Sequence, residues 1–317
     1  MSKKAKKSKI EKLDYKPIEY DYHLPVMLEE CLNFLVLSNK ATIIDGTLGG
    51  GGHAELILSR LGSGGNLVAF DKDKNAIAYF ERKIQSNLNK EATPKVTLYN
   101  ECFSSICGKA EYDGKIDGVL LDLGVSSRQL DSDSIGLSYR IDSRLDMRFG
   151  SDGMPAYEII NKADPVEIKR ILRDYGEEPK AGIIARRIAE RRRAIPLETT
   201  FDLKNIVEEL VLPPQRFKTL SRVFQAFRIA VNKELETLET ALHCYAKMLA
   251  PKGRIVVMSY HSLEDRIVKN IFREYSKSGE NPAILKILTK QPIIAKDEEI
   301  IKNPRARSAK LRVAERL

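Results

Sequence analysis

The sequence predicts an α/β protein with a mostly parallel sheet and an inserted helical domain. Short apolar runs alternate with helical patterns over residues 42–122, which is typical of parallel strands joined by helices. Four consecutive glycines, Gly49–Gly52, follow the first run. The next run of this kind comes only after roughly 130 residues, far more than an ordinary connection in such a sheet. We therefore expect an insertion before the sheet is completed.

Seven segments are predicted as strands. Four belong to the first part of the chain, one follows the insertion, and two near the C-terminus are expected to pair at the sheet edge. They are Thr42–Asp45, Asn66–Asp71, Lys95–Tyr99, Asp117–Asp122, Arg254–Ser259, Ile284–Leu288 and Leu311–Ala314. The residues Pro251-Lys252-Gly253 predict a turn that opens the fifth strand.

Helices are predicted where apolar residues recur at helical spacing. They are His53–Leu61, Lys74–Leu88, Glu234–Leu249 and Leu263 to about Tyr275, with a shorter turn or helix at Phe103–Gly108.

We expect three parts in the chain. Residues 1–22 form a basic, flexible N-terminal extension, and residues 23–134 together with 232–317 form the cofactor-binding α/β domain. Residues 135–231 form the inserted helical domain, which grows out of the loop after strand four. Because that loop lies at the ligand-binding edge of the sheet, the inserted domain is expected to take part in substrate recognition.

Positive charge is concentrated at the two ends of the chain. Residues 1–17 carry seven Lys against two acidic residues, and residues 301–317 carry six Lys or Arg against one, so each end holds +5 of a total of +9. The chain between them is near neutral. Such ends suit contact with a polyanion, although a basic tail can also serve solubility alone.

Cysteine use and hydropathy indicate the compartment. Cys31, Cys102, Cys107 and Cys244 show neither CxxC spacing nor the density of a disulfide framework, so we expect free thiols and no metal site. No segment approaches the ~18 apolar residues of a membrane span, and the N-terminus lacks the apolar part of a secretion signal. The sequence predicts a cytoplasmic protein without membrane contact, and it does not indicate an oligomeric state.

The glycine run indicates that a ligand approaches the backbone closely. In an open α/β sheet, ligands bind at the carboxyl ends of the strands, where helix N-termini present free N–H groups. Glycine admits such an approach and adopts positive φ without a penalty from Cβ. A simple tight turn does not need four glycines, so we expect a nucleotide-like cofactor at this loop.

Acidic residues at the strand ends bear on which cofactor binds. Asp45 and Asp122 end strands one and four, where they would repel a diphosphate and favour a cationic group. Asp71 ends strand two and is placed to accept hydrogen bonds from ribose hydroxyls. These acids favour S-adenosylmethionine. Because Gly49–Ala54 also fits the GxGxxA dinucleotide pattern, NAD stays an alternative, whereas the absence of GxxxxGK[ST] argues against a P-loop nucleotidase.

Eight sequence blocks, in order, resemble one known family. They are "HLPVMLEECL", "DGTLGGGGH", "LLDLGVSSRQLD", "SRLDMRF", "YGEE", "FQAFRIAVNKEL", "SYHSLEDRIVK" and "NPRARSAKLRVAER". From His23 to about Arg316 the chain resembles the ribosomal RNA small subunit methyltransferase H family. The resemblance implies a Rossmann-like class I methyltransferase sheet and S-adenosylmethionine-dependent methylation of a cytidine N4 amine in the decoding region of 16S rRNA. The substrate would be small-subunit ribosomal RNA or the assembled small subunit.

The resemblance also assigns residues to the cofactor. In chain order they are Gly51, Gly52, His53, Asp71, Phe103, Asp122 and Gln129. By this resemblance the first three contact the cofactor at the first turn, Asp71 holds its ribose, Phe103 packs along the adenine, and the last two complete the pocket. The reasoning from the residues alone agrees for Gly51, Gly52, Asp71 and Asp122.

Three residues after strands four and five are the candidates for catalysis. Asp122 stands where amino-methylating enzymes often carry an (Asp/Asn/Ser)-Pro-Pro-aromatic block, and it could orient the cofactor or the target amine. Tyr260 could stack on an extruded base, and His261 could accept a proton or contact a phosphate. A rim or core aromatic for Tyr260 and a helix cap for His261 stay open as alternatives. Asn232–Glu234 could touch RNA.

The chain departs from the family pattern in two places. Ser143-Arg144 stands where members tend to have Gly-Pro, and Lys218–Arg222 stands where they have HPATR. Both lie outside the blocks assigned to the cofactor and concern the docking of RNA.

Two other functions remain open from the sequence. One is an NAD-dependent oxidoreductase, supported by GxGxxA alone. The other is a non-catalytic RNA-binding or cofactor-sensing protein that keeps the pocket without the chemistry. Transfer of labelled methyl groups from S-adenosylmethionine to small-subunit RNA distinguishes these functions.

Overall fold

The computed structural model describes residues 25–35, 38–87, 93–125, 129, 135–278 and 282–317. The basic extension predicted over residues 1–22 lies outside these ranges, as does Leu88 at the end of the second predicted helix.

The described residues form one eight-stranded sheet. Its strands are β1 (Thr42–Asp45), β2 (Asn66–Phe70), β3 (Lys95–Tyr99), β4 (Ile116–Asp122), β5 (Leu249–Ser259), β6 (Leu285–Ile287), β7 (Ile293–Ile294) and β8 (Lys310–Arg316). Strands β1 to β5 run parallel, and β8 runs antiparallel to β5, β6 and β7.

The strand order places a crevice at the centre of the sheet. The order is β3-β2-β1-β4-β5-β8-β6, and β7 pairs with β8. The chain runs outward from β1 to β3 and then crosses back to place β4 on the other side of β1. Such a switch point separates the loops at the carboxyl ends of the two strands and leaves room for a ligand. The predicted fold class is confirmed, and the two C-terminal strands that were expected to pair do so, in antiparallel orientation.

Helices cover both faces of the sheet and fill the insertion. They are α1 (Leu28–Leu35), α2 (Gly52–Leu58), α3 (Lys74–Asn87), α4 (Ala156–Lys162), α5 (Pro165–Asp174), α6 (Ala181–Ala194), α7 (Thr200–Leu210), α8 (Pro213–Asn232), α9 (Glu234–Met248), α10 (Ser262–Ser276) and α11 (Asp297–Lys302). None of these described helices has the length and apolar character needed to cross a membrane.

The sheet separates two apolar clusters. Successive strand residues point to opposite faces, so Ile43 packs with α1 and α2 while Ile44 packs with α9 and α10. Both side chains are fully buried. The strands read as apolar runs rather than alternating patterns because both faces of the parallel sheet are covered.

The helices between β4 and β5 pack around an apolar cluster of their own. Buried residues of α5 to α8, such as Ile168, Ile184 and Phe227, contribute to it. Local signals fix the helix starts: Asp164 accepts a hydrogen bond from Val166 N at 2.8 Å just before Pro165. The insertion is therefore helical as predicted, while its bounds at residues 135 and 231 remain a prediction.

Strand β5 begins earlier than predicted. Leu249 already pairs with Ile116, after which the register jumps to Gly118 opposite Arg254. The residues between them on β5 depart from regular pairing, with Lys252 at φ +71°. The Pro-Lys-Gly sequence thus produces an irregularity inside the strand instead of a turn before it.

Gly51→Ala should destabilise the fold. Gly51 lies at φ +77° directly before α2, and a Cβ there would collide with the ring of Phe80. Left-handed strain and overpacking together predict a loss of roughly 2–4 kcal/mol in the free energy of unfolding, measured by urea denaturation. Gly108→Ala is the matched control, because a Cβ at Gly108 would meet nothing within 4 Å. Equal unfolding midpoints for the two variants would contradict this assignment.

Candidate active site

A cleft of about 460 Å³ opens at the carboxyl ends of the central strands. The loops that follow β1 to β5 form one wall, and the insertion and its return to the sheet form the other. From the sheet side the cleft is lined by His53, Asp71, Phe103, Asp122 and Tyr260, among others. From the other side it is lined by Phe149, Gln225, Arg228, Asn232 and Glu234.

Asp71 binds the glycine loop and lines the cleft. Its Oδ2 accepts a hydrogen bond from Gly49 N at 2.7 Å, and its Oδ1 accepts one from Asp73 N at 2.8 Å. Burial raises the pKa of Asp71 to about 6, although these bonds favour the carboxylate. Each oxygen has a second lone pair with which it can accept a bond from a ligand hydroxyl.

The structure brings Gly52 and His53 to the cleft but does not bring Gly51 there. The missing side chain of Gly51 makes room for Phe80 of α3. At Gly52 a Cβ would collide with Pro25. The glycine run therefore serves the packing of two neighbouring segments as well as the approach of a ligand.

Asp45 lies beneath the cleft. Asp45 is only 1% exposed and is not among the residues that line the cleft. Thr47 N donates to Asp45 Oδ1 at 3.1 Å, while Oδ2 is buried without a hydrogen-bond partner. Burial raises the pKa of Asp45 to about 6. The sequence predicted Asp45 beside the site of a cationic group, whereas the structure places it below the wall of the cleft.

Asp122 and Tyr260 form a hydrogen-bonded pair in the cleft. Tyr260 OH donates to Asp122 Oδ1 at 2.7 Å. Burial raises the pKa of Asp122 to about 7; the bond from Tyr260 acts in the opposite direction, and the charge of Glu264 adds to the rise. The pair provides a carboxyl group that changes its charge near neutral pH.

His53 lies beside this pair in an uncharged state. Its Nε2 is 3.1 Å from the carbonyl oxygen of Val26, which can only accept, so Nε2 carries the proton. Its Nδ1 is 3.9 Å from Asp122 Oδ2. Burial lowers the pKa of His53, which leaves Nδ1 unprotonated and able to accept a hydrogen bond.

His261 caps α10, which was the structural alternative for this residue. Its Nδ1 accepts from Glu264 N at 3.5 Å, and Glu264 Oε2 accepts from Tyr260 N at 2.8 Å and from His261 N at 3.3 Å. His261 Nε2 lies 3.2 Å from Glu264 Oε1 without hydrogen-bond geometry. Burial acts to raise the pKa of Glu264, but its contacts with the His261 side chain, the hydrogen bond from Tyr260 N and the charge of Arg228 hold that pKa below its ordinary value. Both ring nitrogens of His261 thus face Glu264.

Arg228 and Glu234 form a second charged pair in the cleft. Arg228 Nε and Nη2 donate to Glu234 Oε1 and Oε2 at 2.8 and 3.0 Å. Among the described residues, Glu234, His261 and Glu264 bring ligand atoms within 4.8 Å of one another, which a metal ion could use. Both carboxylate oxygens of Glu234 already accept hydrogen bonds from Arg228, and His261 and Glu264 bond to each other at the start of α10. These potential metal ligands are therefore occupied by bonds within the protein.

Phe103 and Gln129 both line the cleft. Phe103 begins a 3₁₀ segment, Phe103–Gly108, and its carbonyl accepts a hydrogen bond from Tyr245 OH at 2.9 Å. Gln129 is half-buried. The structure therefore brings together every residue assigned to the cofactor except Gly51.

Several residues that line the cleft had no role assigned from the sequence, among them Glu264, Phe149, Gln225 and Arg228. Glu264 had a detectable signal, because an acid three residues after the helix N-cap is typical of a capping box. Phe149, Gln225 and Arg228 carried no local signal. They reach the cleft only through the packing of the insertion against the sheet.

Comparison with known proteins identifies relatives over nearly the whole chain. The sequence matches the MraW methylase family over residues 21–317. The ribosomal RNA small subunit methyltransferase H of Heliobacterium modesticaldum is 42% identical, covering 93% of this chain and 99% of its own. The protein of the same name from Fusobacterium nucleatum is 40% identical, covering 94% and 98%. A crystal structure of an rRNA methylase from Streptococcus thermophilus is 10% identical with a TM-score of 0.42, covering 92% and 93%.

Proposed function

This chain belongs to the MraW methylase family, and we propose that it transfers a methyl group from S-adenosylmethionine to small-subunit ribosomal RNA. The target that we propose is the exocyclic N4 amine of a cytidine in the decoding region of 16S rRNA. The observation that supports this most is the Asp122–Tyr260 pair beside the glycine loop, at the switch point of the sheet. It places an acceptor for amine hydrogens next to a site that suits a nucleoside cofactor.

The residues of the sheet side fit the cofactor. Asp71 would hold the ribose hydroxyls, Phe103 would pack along the adenine, and Gly52, His53 and Gln129 would complete the pocket. S-adenosylmethionine supplies an electrophilic methyl group on a positively charged sulfur. The carboxyl groups of Asp45, below the cleft, and Asp122, in its wall, contribute negative potential that favours such a cation and disfavours a diphosphate. This charge distribution supports the methyl donor over NAD.

The cytosine N4 amine is a weak nucleophile because its lone pair is delocalised into the ring. Asp122, in its carboxylate form, accepts an N–H hydrogen bond from the amine and so directs the lone pair toward the methyl group. Tyr260 fixes the orientation of that carboxylate. The N–C bond would form as the S–C bond of the donor breaks, and the methylated amine would then be acidic enough to release its proton to water without a strong base.

His261 does not carry this proton in the proposed mechanism. Both of its ring nitrogens face Glu264, and its bond to Glu264 N starts α10. It acts as a positioning residue for the segment that contains Tyr260.

The proposal extends to the form of the substrate. A basic C-terminal segment and a cleft closed on one side by the insertion suit a large polyanion better than a free nucleoside. We propose small-subunit rRNA, free or in the assembled small subunit, as the partner, the insertion as the part that recognises it, and the cytoplasm as the compartment.

Methyl transfer tests the function directly. Purified protein incubated with methyl-labelled S-adenosylmethionine and small ribosomal subunits should yield labelled N4-methylcytidine on digestion of the RNA to nucleosides. Label on another nucleoside would contradict the proposed target. Binding of the cofactor without label, on free RNA or on subunits, would favour a sensing protein, and binding of NAD in its place would favour an oxidoreductase.

Asp71→Ala should weaken cofactor binding by about tenfold or more. The variant loses charge-assisted hydrogen bonds to the ribose, which are worth ~1.5–3 kcal/mol. Calorimetric titration with S-adenosylmethionine measures this affinity. Asp73→Ala is the control, since Asp73 does not line the cleft and accepts instead from Asn75 N at the start of α3. An unchanged affinity in Asp71→Ala would count against the placement of the ribose.

Tyr260→Phe should move the pH dependence of methyl transfer to higher pH. In the wild type, the single-turnover rate should rise as pH passes through about 7, because Asp122 then loses its proton. The tyrosine hydroxyl stabilises the carboxylate, so its removal raises the pKa of Asp122 further, by roughly one unit for a bond of ~1.4 kcal/mol. Tyr275→Phe, which removes a hydroxyl bound to His243 outside the cleft, should leave the profile in place. A shift to lower pH would contradict this role.

A further inference from the structure

The loop between β4 and α4 contains a strained residue. Met147 lies at φ +64°, in the left-handed region that residues with a Cβ rarely adopt. Its side chain is fully buried in the apolar cluster of the insertion. A strained backbone persists only where its surroundings fix it, and such sites concentrate where function needs one conformation.

Asn232 is the side chain that fixes this conformation. Its Oδ1 accepts from Phe149 N at 2.9 Å, and its Nδ2 donates to Met147 O at 2.8 Å and to Arg228 O at 3.0 Å. The residue is 9% exposed. The buried amide therefore binds the loop on both sides of Arg148, and it does so from the last residue of α8.

This clamp decides where Phe149 lies. The Phe149 ring packs against the apolar cluster of the insertion and also lines the cleft. Among the described residues, two other Phe or Tyr side chains line the cleft, and each already has a proposed role. Phe103 follows β3 on the cofactor side, and Tyr260 donates its hydroxyl to Asp122. Phe149 is the aromatic side chain that the insertion contributes.

We infer that Phe149 forms the surface on which the target base stacks, and that Asn232 is a positioning residue that holds it there. The inference rests on the proposed methyl transfer to RNA and deepens it. An enzyme that acts on a base within RNA must take the base out of its stack, and an aromatic ring offsets the lost stacking. A rigid clamp holds that ring in place before the base arrives, so little entropy is lost on binding.

Phe149→Leu and Phe149→Tyr test the stacking role. Leucine keeps an apolar side chain without a flat ring, so the KM for small subunits should rise roughly 10- to 100-fold, whereas tyrosine should stay near the wild type. Calorimetric affinity for S-adenosylmethionine should not change in either variant. Phe217→Leu, which removes an exposed aromatic ring of α8 outside the cleft, is the matched control and should leave KM unchanged.

Asn232→Asp tests the clamp. Aspartate keeps the acceptor for Phe149 N and loses the donor to Met147 O and Arg228 O. We expect the KM for small subunits to rise as it does in Phe149→Leu. The hydrogen-exchange protection of the backbone amides in α9 and α10 should stay unchanged. The variant that carries both Phe149→Leu and Asn232→Asp should have a KM no higher than that of the single variants, because both changes remove the same stacking surface.

Three results would overturn the inference. They are a wild-type KM in Phe149→Leu, an equal loss in Phe149→Tyr, or a loss of cofactor affinity in place of a rise in KM. In each of these cases the wild-type enzyme still labels the RNA, so the proposed function stands. A wild-type protein that transfers no methyl group to RNA would overturn the function and the inference together.

Discussion

Three carboxyl groups stand at the ends of adjacent parallel strands, in surroundings that disfavour their charge. Burial raises the pKa of Asp45 and Asp71 to about 6 and that of Asp122 to about 7, from an ordinary value of 3.8. Because the folded state holds these protons more tightly than the unfolded chain, the resulting stability is complete below the ordinary pKa and is lost as pH rises through about 6–7. At neutral pH the fold carries these charges at a cost, which a cationic ligand would offset.

One short loop connects all three carboxyl-bearing strand ends. Thr47 N donates to Asp45, Gly49 N donates to Asp71, and Thr47 Oγ1 accepts from the backbone N–H of Asp122. The loop after β1 therefore binds the ends of β2 and β4 as well as its own strand. Three such bonds within three residues restrain the loop, and the glycines at positive φ that follow lead the chain into α2.

The sequence predicted the sheet well because its strands are set by short-range pattern. Apolar runs separated by helical spacing give the parallel strands, and strand ends that share an edge bring Asp71 and Asp122 together. The placement of single residues was harder to predict where it depended on contacts distant in sequence. Gly51 faces Phe80 of α3 instead of the cleft, and Asp45 lies under the loop because the backbone at Thr47 turns over it. Phe149 is held at the cleft by the hydrogen bond from its backbone N–H to Asn232, which lies 83 residues further along the chain.

The position of the insertion would allow one cleft to hold both the cofactor and the RNA that we propose. The loops after β1, β2 and β3 are bound to each other and to the sheet, and their residues suit a cofactor whose shape does not vary. The insertion leaves the sheet after β4 and returns through α9, so its far end, at Asn232 and Glu234, meets the cleft beside Asp122 and Tyr260. The wall for the second ligand thus has its own apolar cluster. In the function that we propose, changes within that cluster would alter the recognised RNA without moving the loops that hold the carboxyl groups.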